Sequence, residues 1–265
     1  MTYISITSSD LIAAAVLIFI NGAMSWALQL GLERSIAIAA VRMVVQLGAI
    51  GFVLKFVFAQ TSPLLTAAMA LVMILIAGQE VLARQETRIG GWLVYGLGSG
   101  TLLFVGLFAT VYAMVALIQP EPWYAPRYVL PILGMVLGNA LTSVSLVLNT
   151  VTQTAKRERA AIEAQLALGA TRRTAMRNVV AHAVRTGLMP VMNSMAAAGI
   201  VTLPGMMTGQ ILAGVEPVEA AKYQVIIMFL ISAGTAIGVM MAAIGGVWLI
   251  TDARHRLRVK LLGMA

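Results

Sequence analysis

In a chain of 265 residues, 60% are hydrophobic and only 11% are charged, whereas a soluble domain carries about 25% charged residues. This composition excludes a water-soluble protein and indicates an integral membrane protein. The absence of cysteine excludes a disulfide framework and thiolate metal sites, and the net charge of +8 is typical of a membrane protein that faces anionic headgroups, with no nucleic acid as partner.

Hydropathy predicts an all-α, polytopic helix bundle with about seven transmembrane helices, because a bilayer core needs about 20 apolar residues per helix. The predicted spans lie near residues 11–30, 36–58, 64–83, 92–117, 128–151, 188–213 and 222–250. The first follows MTYISITSSD, which has no basic residue, so we interpret it as a retained span rather than a cleaved leader. We expect residues 1–265 to form a single transmembrane permease domain.

The distribution of basic residues predicts the orientation of the chain. If residues 151–187 are cytoplasmic, the connections at 31–35 and 84–91 and the C-terminal tail are cytoplasmic too. These segments together hold 14 of the 18 Lys and Arg residues. The positive-inside rule then places the N-terminus outside and the C-terminus inside, in a multi-pass protein of the inner (cytoplasmic) membrane.

Spans two and three carry polar side chains, which are costly in a bilayer and mark either a water-lined path or a helix contact. Arg42 and Gln46 are four residues apart and share one face of span two. Arg42 is placed to meet Glu80, near the inner end of span three. We treat all three as candidate path residues, and the alternative is a purely structural ion pair.

Span five contains a stripe of polar side chains in GNALTSVSLVLNT. Asn139, Thr142 and Ser143 fall at i, i+3 and i+4 and therefore on one helix face. Such a stripe either lines a cavity or forms hydrogen bonds between helices, and the sequence leaves both readings open.

Residues 152–187 are too numerous for a tight connection and too polar to span the membrane. Gly169 followed by Thr171 predicts that one helix ends and the next is capped at this point. Two short helices that meet at such a bend would project from the membrane into the cytoplasm. The alternative is a solvated charged loop that only sets topology.

Span six is predicted to be interrupted. Pro204 removes a backbone donor and Gly205 permits a bend, and interrupted spans mark transport sites because their free backbone groups must face protein or water. The same span supplies further candidate path side chains, namely Asn193, Ser194, Met206, Met207 and Gln210. The methionine thioethers suit copper(I) better than ferric iron, and their alternative role is packing, so the metal ligands are unknown.

Glu163, Ala164 and Gly169 stand as E-A-x-x-x-x-G. This pattern is similar to the loop through which permease subunits of ATP-binding-cassette transporters dock on their ATPase. Gln165 and the pair at 181–182 depart from that pattern. The stretch RTGLMPVMNSMAAAGIVTLPGMMTGQILAG closely resembles the FetB-type (UPF0014) family of iron-export permeases, and the resemblance runs along nearly the whole chain.

The resemblance implies a permease subunit that exports iron, pairs with a separate ATPase and assembles as two permeases with two ATPases. The implied ATPase-coupling residues are Glu163, Ala164, Gly169, Ala170, Thr171, Arg172, Arg173 and Arg177, with the arginines expected to meet acidic residues of the partner. Plant relatives of the family are implicated in aluminium tolerance and proposed to carry a nucleotide sugar, which makes such a sugar the alternative substrate.

No G-x-x-x-x-G-K-[ST] phosphate loop occurs in the chain, so it is not expected to act as an enzyme. ATP and Mg²⁺ would bind to the partner ATPase, and we expect no cofactor on this chain. A membrane-embedded enzyme is disfavoured because no predicted span contains histidine. An ion-coupled secondary transporter fits the hydropathy, but it would not need the cytoplasmic helices.

Overall fold

The computed structural model describes residues 7–86, 91–252 and 256–258. These residues form ten α-helices, which are α1 Ser8–Ala27, α2 Glu33–Gln60, α3 Pro63–Ala83, α4 Trp92–Tyr112, α5 Pro126–Arg157, α6 Arg159–Ala167, α7 Arg172–Ala175, α8 Arg177–Ala197, α9 Gly205–Leu212 and α10 Pro217–Ile250. A π-helical turn, Ala113–Ile118, continues α4. This architecture confirms the predicted all-α class.

The chain divides into two compact units, Met1–Thr61 and Ser62–Ala265. The first unit is the helical pair α1 and α2, which pack on each other. Their connection is fixed by the buried hydroxyl of Ser25, which accepts from the Leu32 N–H at 3.0 Å and donates to the Glu33 carboxylate at 3.2 Å. Both units contain membrane helices, so the single permease domain expected over the whole chain stays a prediction.

Among the described residues, six helices are long and apolar enough to cross a membrane: α1, α2, α3, α4 with its π-helical turn, α5 and α10. They coincide with six of the seven predicted spans. The remaining span, predicted at 188–213, is instead divided between α8 and α9. This confirms an interruption and corrects its position, because α8 already ends at Ala197, seven residues before Pro204.

The interruption begins where the chain turns at Gly199. This residue has φ +84°, a left-handed conformation that glycine adopts readily and that ends a helix. The N–H groups of Val201 and Thr202 both donate to the carbonyl of Ala197, at 3.0 and 3.1 Å. Residues 198–204 therefore form a tight turn, and Pro204 serves as the N-cap of α9.

In the second unit, α5 and α10 occupy the centre. α10 packs on α4, α5, α8 and α9, and α5 also packs on α3, α4 and α8. Such close helix packing is the main source of stability within a bilayer, where lipid removes the hydrophobic drive between helices. Gly187 shows how close α8 approaches, because a Cβ at this position would overlap Val147 of α5 and lie 3.1 Å from Val239 of α10.

Contacts between helices also fix their relative directions. Gly234 of α10 lies against Val105 of α4, whereas Gly245 lies against Leu97. The residue numbers run in opposite senses, so α4 and α10 are antiparallel. This agrees with α4 as the fourth and α10 as the seventh of the predicted crossings, which run in opposite directions.

One end of the second unit gathers segments that we predict to be cytoplasmic. Asn149 Nδ2 of α5 donates to the carbonyl of Arg84 at 2.9 Å, and Arg172 Nη1 lies 3.5 Å from Thr251 Oγ1 at the end of α10. We call this the basic end, because the arginine-rich connections meet there. The positive-inside rule assigns it to the cytoplasm, and α8 followed by α9 leads from it back to the opposite end, where α10 begins.

We expect Gly187→Leu to lower the melting temperature of the purified protein in detergent. The added side chain would overlap Val147, and overpacking of this kind costs about 1–3 kcal/mol. Gly100→Leu in α4 is the matched control, since a Cβ there would meet no atom within 4 Å. Equal melting temperatures for the two variants would contradict the packing of α8 between α5 and α10.

Candidate functional site

The α6–α7 hairpin, residues 159–175, joins α5 to α8 at the basic end. Gly169 has φ +89°, and the N–H groups of Gly169 and Ala170 each donate at 3.0 Å to carbonyls of the last turn of α6. This pair of bonds is a Schellman turn, which satisfies the carbonyls at a helix end. Thr171 Oγ1 then accepts from the Thr174 N–H at 3.4 Å and caps α7. The predicted bend at Gly169 and Thr171 is confirmed.

A small apolar base holds this hairpin against the bundle. Ile162, Met176 and Val179 are all buried, each with no more than 3% of its surface exposed. The tip is different, because Leu168 is 88% exposed and Ala164 and Gly169 are also exposed. The hairpin therefore presents an apolar tip to its surroundings at the basic end.

Charged side chains flank this tip. Glu163 is paired within α6, since its Oε1 lies 2.8 Å from Arg159 Nε, and both side chains are about half exposed. Arg173 and Arg177 are exposed, and within the described part of the chain neither has an ion-pair partner. These two arginines remain available to an external acidic surface.

Arg172 is arranged differently from its neighbours. Its Cζ lies 3.9 Å from the ring centroid of Trp248, and Nη1 lies 3.5 Å from Thr251 Oγ1. Both partners belong to the last turn and C-cap of α10. Of the three arginines predicted to face an ATPase, this one is engaged by the chain itself.

The predicted polar stripe of α5 is split by the packing. Thr142 is exposed, and its Oγ1 lies 3.5 Å from Arg84 Nη1, while Arg84 Nε lies 4.0 Å from the Glu80 carboxylate. Ser143 is only 2% exposed and lies in the core. Asn139 is half-buried and donates to the backbone of its own helix at 2.9 Å. Arg84 thus links Thr142 to Glu80.

Arg42 and Gln46 lie on α2 of the first unit, and both side chains are exposed. They share one helix face, as the spacing predicts. The pairing of Arg42 with Glu80, which belongs to the second unit, stays a prediction.

The turn between α8 and α9 carries the exposed apolar side chains of Ile200, Val201 and Leu203, and neutral polar groups lie on the two helices that flank it. Asn193 and Ser194 are exposed on the last turns of α8, and Ser194 Oγ donates to the carbonyl of Pro190 at 3.0 Å. Met206, Met207 and Gln210 are half-buried on α9, which packs on α10. Pro204 and Gly205 start that helix.

Two buried amide oxygens on α9 and α10 lack a partner among the described residues, namely Oε1 of Gln210 and Oε1 of Gln224. An unsatisfied buried acceptor costs about 1–3 kcal/mol, so each is available to a polar or cationic group. No three His, Asp or Glu side chains converge anywhere in the described ranges. The oxygens offered near the interruption are therefore those of amides, hydroxyls and the backbone.

Sequence reasoning missed the residues that tie the segment after α3 to α5. Asn149 donates to the Arg84 carbonyl, and its Oδ1 accepts from the Glu86 N–H at 3.1 Å. Gln153 Nε2 donates to Glu86 Oε2 at 2.6 Å. Thr142, Asn149 and Gln153 stand at i, i+7 and i+11, a helical repeat that would have placed them on one face. Trp248 and Thr251 were also missed, because only packing brings them to the hairpin.

Comparisons with known proteins cover nearly the whole chain. Residues 8–248 match the family model described as "Uncharacterised protein family (UPF0014)". The chain is 37% identical over 205 residues to "UPF0014 membrane protein slr1647" of Synechocystis, covering 76% of this chain and 77% of the relative. No solved structure shows significant similarity to the chain.

Two further relatives have names that refer to metals. The chain is 30% identical over 262 residues to "Probable iron export permease protein FetB" of Escherichia coli, covering 97% of both proteins. It is 34% identical over 216 residues to "Protein ALUMINUM SENSITIVE 3" of Arabidopsis thaliana, covering 82% of this chain and 77% of the relative. The hairpin and the interruption both lie inside the matched regions of the family model.

We expect Met206→Cys and Gln210→Cys to react with a membrane-impermeant thiol reagent, because an interrupted helix within a membrane protein borders protein or a watery cavity. The chain has no native cysteine, so there is no background labelling. Ile227→Cys on α10 is the control, since Ile227 is buried. Protection of both α9 positions, with and without nucleotide and ATPase, would show that the interruption does not line an aqueous path.

Proposed function

Because the chain belongs to the UPF0014 family, we propose that it is the permease subunit of an ATP-binding-cassette transporter that exports iron across the cytoplasmic membrane. The family relationship and the six apolar helices make it a multi-pass membrane protein. The observation that carries the proposal further is the α6–α7 hairpin, two capped helices with an exposed tip at the basic end.

The hairpin has the features of a docking element. Its tip carries Leu168, which is 88% exposed. Arg173 on α7 and Arg177 at the start of α8 are exposed and have no ion-pair partner among the described residues. In protein interfaces a few well-packed residues supply most of the affinity, and surrounding charges steer and orient the partner. A groove with an apolar floor and acidic rim on a cytoplasmic ATPase would match this surface.

Energy has to come from that partner. The chain has no phosphate loop, so ATP and Mg²⁺ are proposed to bind to the ATPase. Two permeases with two ATPases are the proposed assembly. The lipid bilayer surrounds the permeases.

The interruption between α8 and α9 is the proposed centre of the path. Arg185 is the last charged residue of α8, and the ten residues from 188 to 197 rise about 15 Å, which is half of a hydrocarbon core of about 30 Å. The interruption therefore falls near the midplane, where transporters with broken helices bind their substrates.

Iron is favoured over a nucleotide sugar by the charges along this segment. Residues 186–215 contain no charged side chain, whereas the diphosphate of a nucleotide sugar is usually held by Arg or Lys. Amide, hydroxyl and backbone oxygens, such as those of Asn193 and Gln210, can replace part of the hydration shell of a cation. The relative named as a probable iron export permease also matches this chain from end to end.

We expect Leu168→Asp and Gly169→Leu to abolish co-purification of the cytoplasmic ATPase partner, while the permease still inserts into the membrane. Both positions are exposed, so ordinary stability effects are small, but the first removes the apolar tip and the second strains a left-handed residue. Val218→Asp, an exposed apolar position at the opposite end of the bundle, is the control. Normal ATPase retention by both hairpin variants would rule out the hairpin as the docking site.

The identity of the substrate is tested by transport assays in proteoliposomes that contain the purified permease and ATPase. We expect ATP-dependent movement of iron(II), no movement with an ATPase that cannot hydrolyse ATP, and no movement of UDP-glucose. Transport of UDP-glucose alone would assign a nucleotide sugar as substrate. Ion-driven transport by the permease without ATPase would instead identify a secondary transporter.

A further inference from the structure

Arg172 makes a contact that none of the other hairpin arginines makes. Its guanidinium carbon lies 3.9 Å from the ring centroid of Trp248, within the range at which a cation is attracted to an aromatic face, and tryptophan is the strongest partner of this kind. Its Nη1 also lies 3.5 Å from Thr251 Oγ1, which is long for a hydrogen bond. The stacking on the indole is therefore the main interaction.

The end of α10 that contacts Arg172 is held in place by hydrogen bonds. Thr251 is 2% exposed, and its hydroxyl donates to the carbonyl of Val247 at 2.7 Å. Beyond it, the N–H of Arg258 donates to the carbonyl of Ile250 at 2.8 Å, which ties the following segment back to the helix end. Trp248 is 61% exposed, so the face of its ring is accessible to the guanidinium at the end of α10.

This contact gives the hairpin a third attachment. The backbone already joins the hairpin to α5 and α8, whereas α10 is reached only across the fold, with 79 residues of sequence between Arg172 and Thr251. α10 packs on α4, α5, α8 and α9. Through α10, the contact of Arg172 is therefore connected to the centre of the unit and to α9 beside the interruption.

We propose that Arg172 is a positioning residue that fastens the α6–α7 hairpin to the end of α10 through Trp248, and so couples hairpin movement to the bundle rather than binding the ATPase. The proposal rests on the proposed function, because it assigns Arg172 a role in a transporter driven from the hairpin. It divides the three arginines predicted to face the ATPase into two groups. Arg172 faces inward to transmit movement, and Arg173 and Arg177 face outward to bind the partner.

Chemistry predicts which substitutions preserve the contact. Arg172→Lys keeps the charge but loses the planar guanidinium that stacks on the ring, so it should lose part of the coupling, whereas Arg172→Ala removes the contact altogether. Trp248→Phe keeps an aromatic face and should retain part of the coupling, whereas Trp248→Leu keeps only apolar bulk. A purely structural role for these side chains would not distinguish phenylalanine from leucine in this way.

The test uses the permease–ATPase complex in proteoliposomes, with three measurements on each variant: ATPase retained on purification, ATP hydrolysed, and iron(II) transported. We expect Arg172→Lys, Arg172→Ala and Trp248→Leu to retain the ATPase and hydrolyse ATP. Iron transported per ATP should fall about threefold to tenfold, in line with the strength of one such stacking. Combining Arg172→Ala with Trp248→Leu should cause no further loss, because the two side chains act as one unit.

Arg173→Ala is the matched control, since it removes a neighbouring exposed arginine. It should weaken ATPase retention in a salt-dependent way and leave the iron transported per ATP unchanged. If the Arg172 variants lost the ATPase on purification, Arg172 would be a docking residue for the ATPase, and the proposal would be overturned. An unchanged ratio of iron to ATP in those variants would also overturn it. Failure of the wild-type permease to retain any ATPase would overturn the proposed function, and this proposal with it.

Discussion

The bilayer offers no hydrogen-bond partner to the backbone, and the rest of this structure follows from that constraint. Each N–H and C=O within the hydrocarbon core must be satisfied inside the protein, so six long helices provide the crossings. The remaining predicted crossing departs from this pattern at 198–204, where the chain leaves the helix and the N–H groups of Val201 and Thr202 donate to the carbonyl of Ala197. A segment of this kind is stable only against protein or water, which is the reason it is the candidate centre of transport.

The basic end connects the surface of the protein with its core. The α6–α7 hairpin is exposed at Leu168 but anchored by Ile162 and Met176, so it can bind a partner without losing its shape. α5 continues from the core into this end as one helix through Arg157, and Arg172 reaches α10 by stacking on Trp248. The two central helices of the unit are thus both attached to the hairpin.

The chemistry along the proposed path differs from that of an enzyme site. Neutral amide and hydroxyl oxygens lie on α8 and α9 on either side of the interruption, while the charged groups of Glu80 and Arg84 lie at the basic end, 4.0 Å apart. A path of weak, neutral ligands suits a solute that must be released after it is bound, since conduction needs binding that is favourable but not tight. The amide oxygens of Gln210 and Gln224, which have no hydrogen-bond partner within the described ranges, fit this arrangement.

Sequence alone determined the features that depend on local physics. Hydropathy located the continuous spans because helix length is set by bilayer thickness, and Gly169 with Thr171 located the bend because a left-handed glycine and a threonine cap are local signals. The tertiary structure decided the rest. It ended α8 at Ala197, buried Ser143 while leaving Thr142 exposed, and turned Arg172 toward Trp248 rather than toward solvent. These outcomes depend on which helices pack together, and a side chain's partner across the fold is fixed by that packing and not by its sequence neighbours.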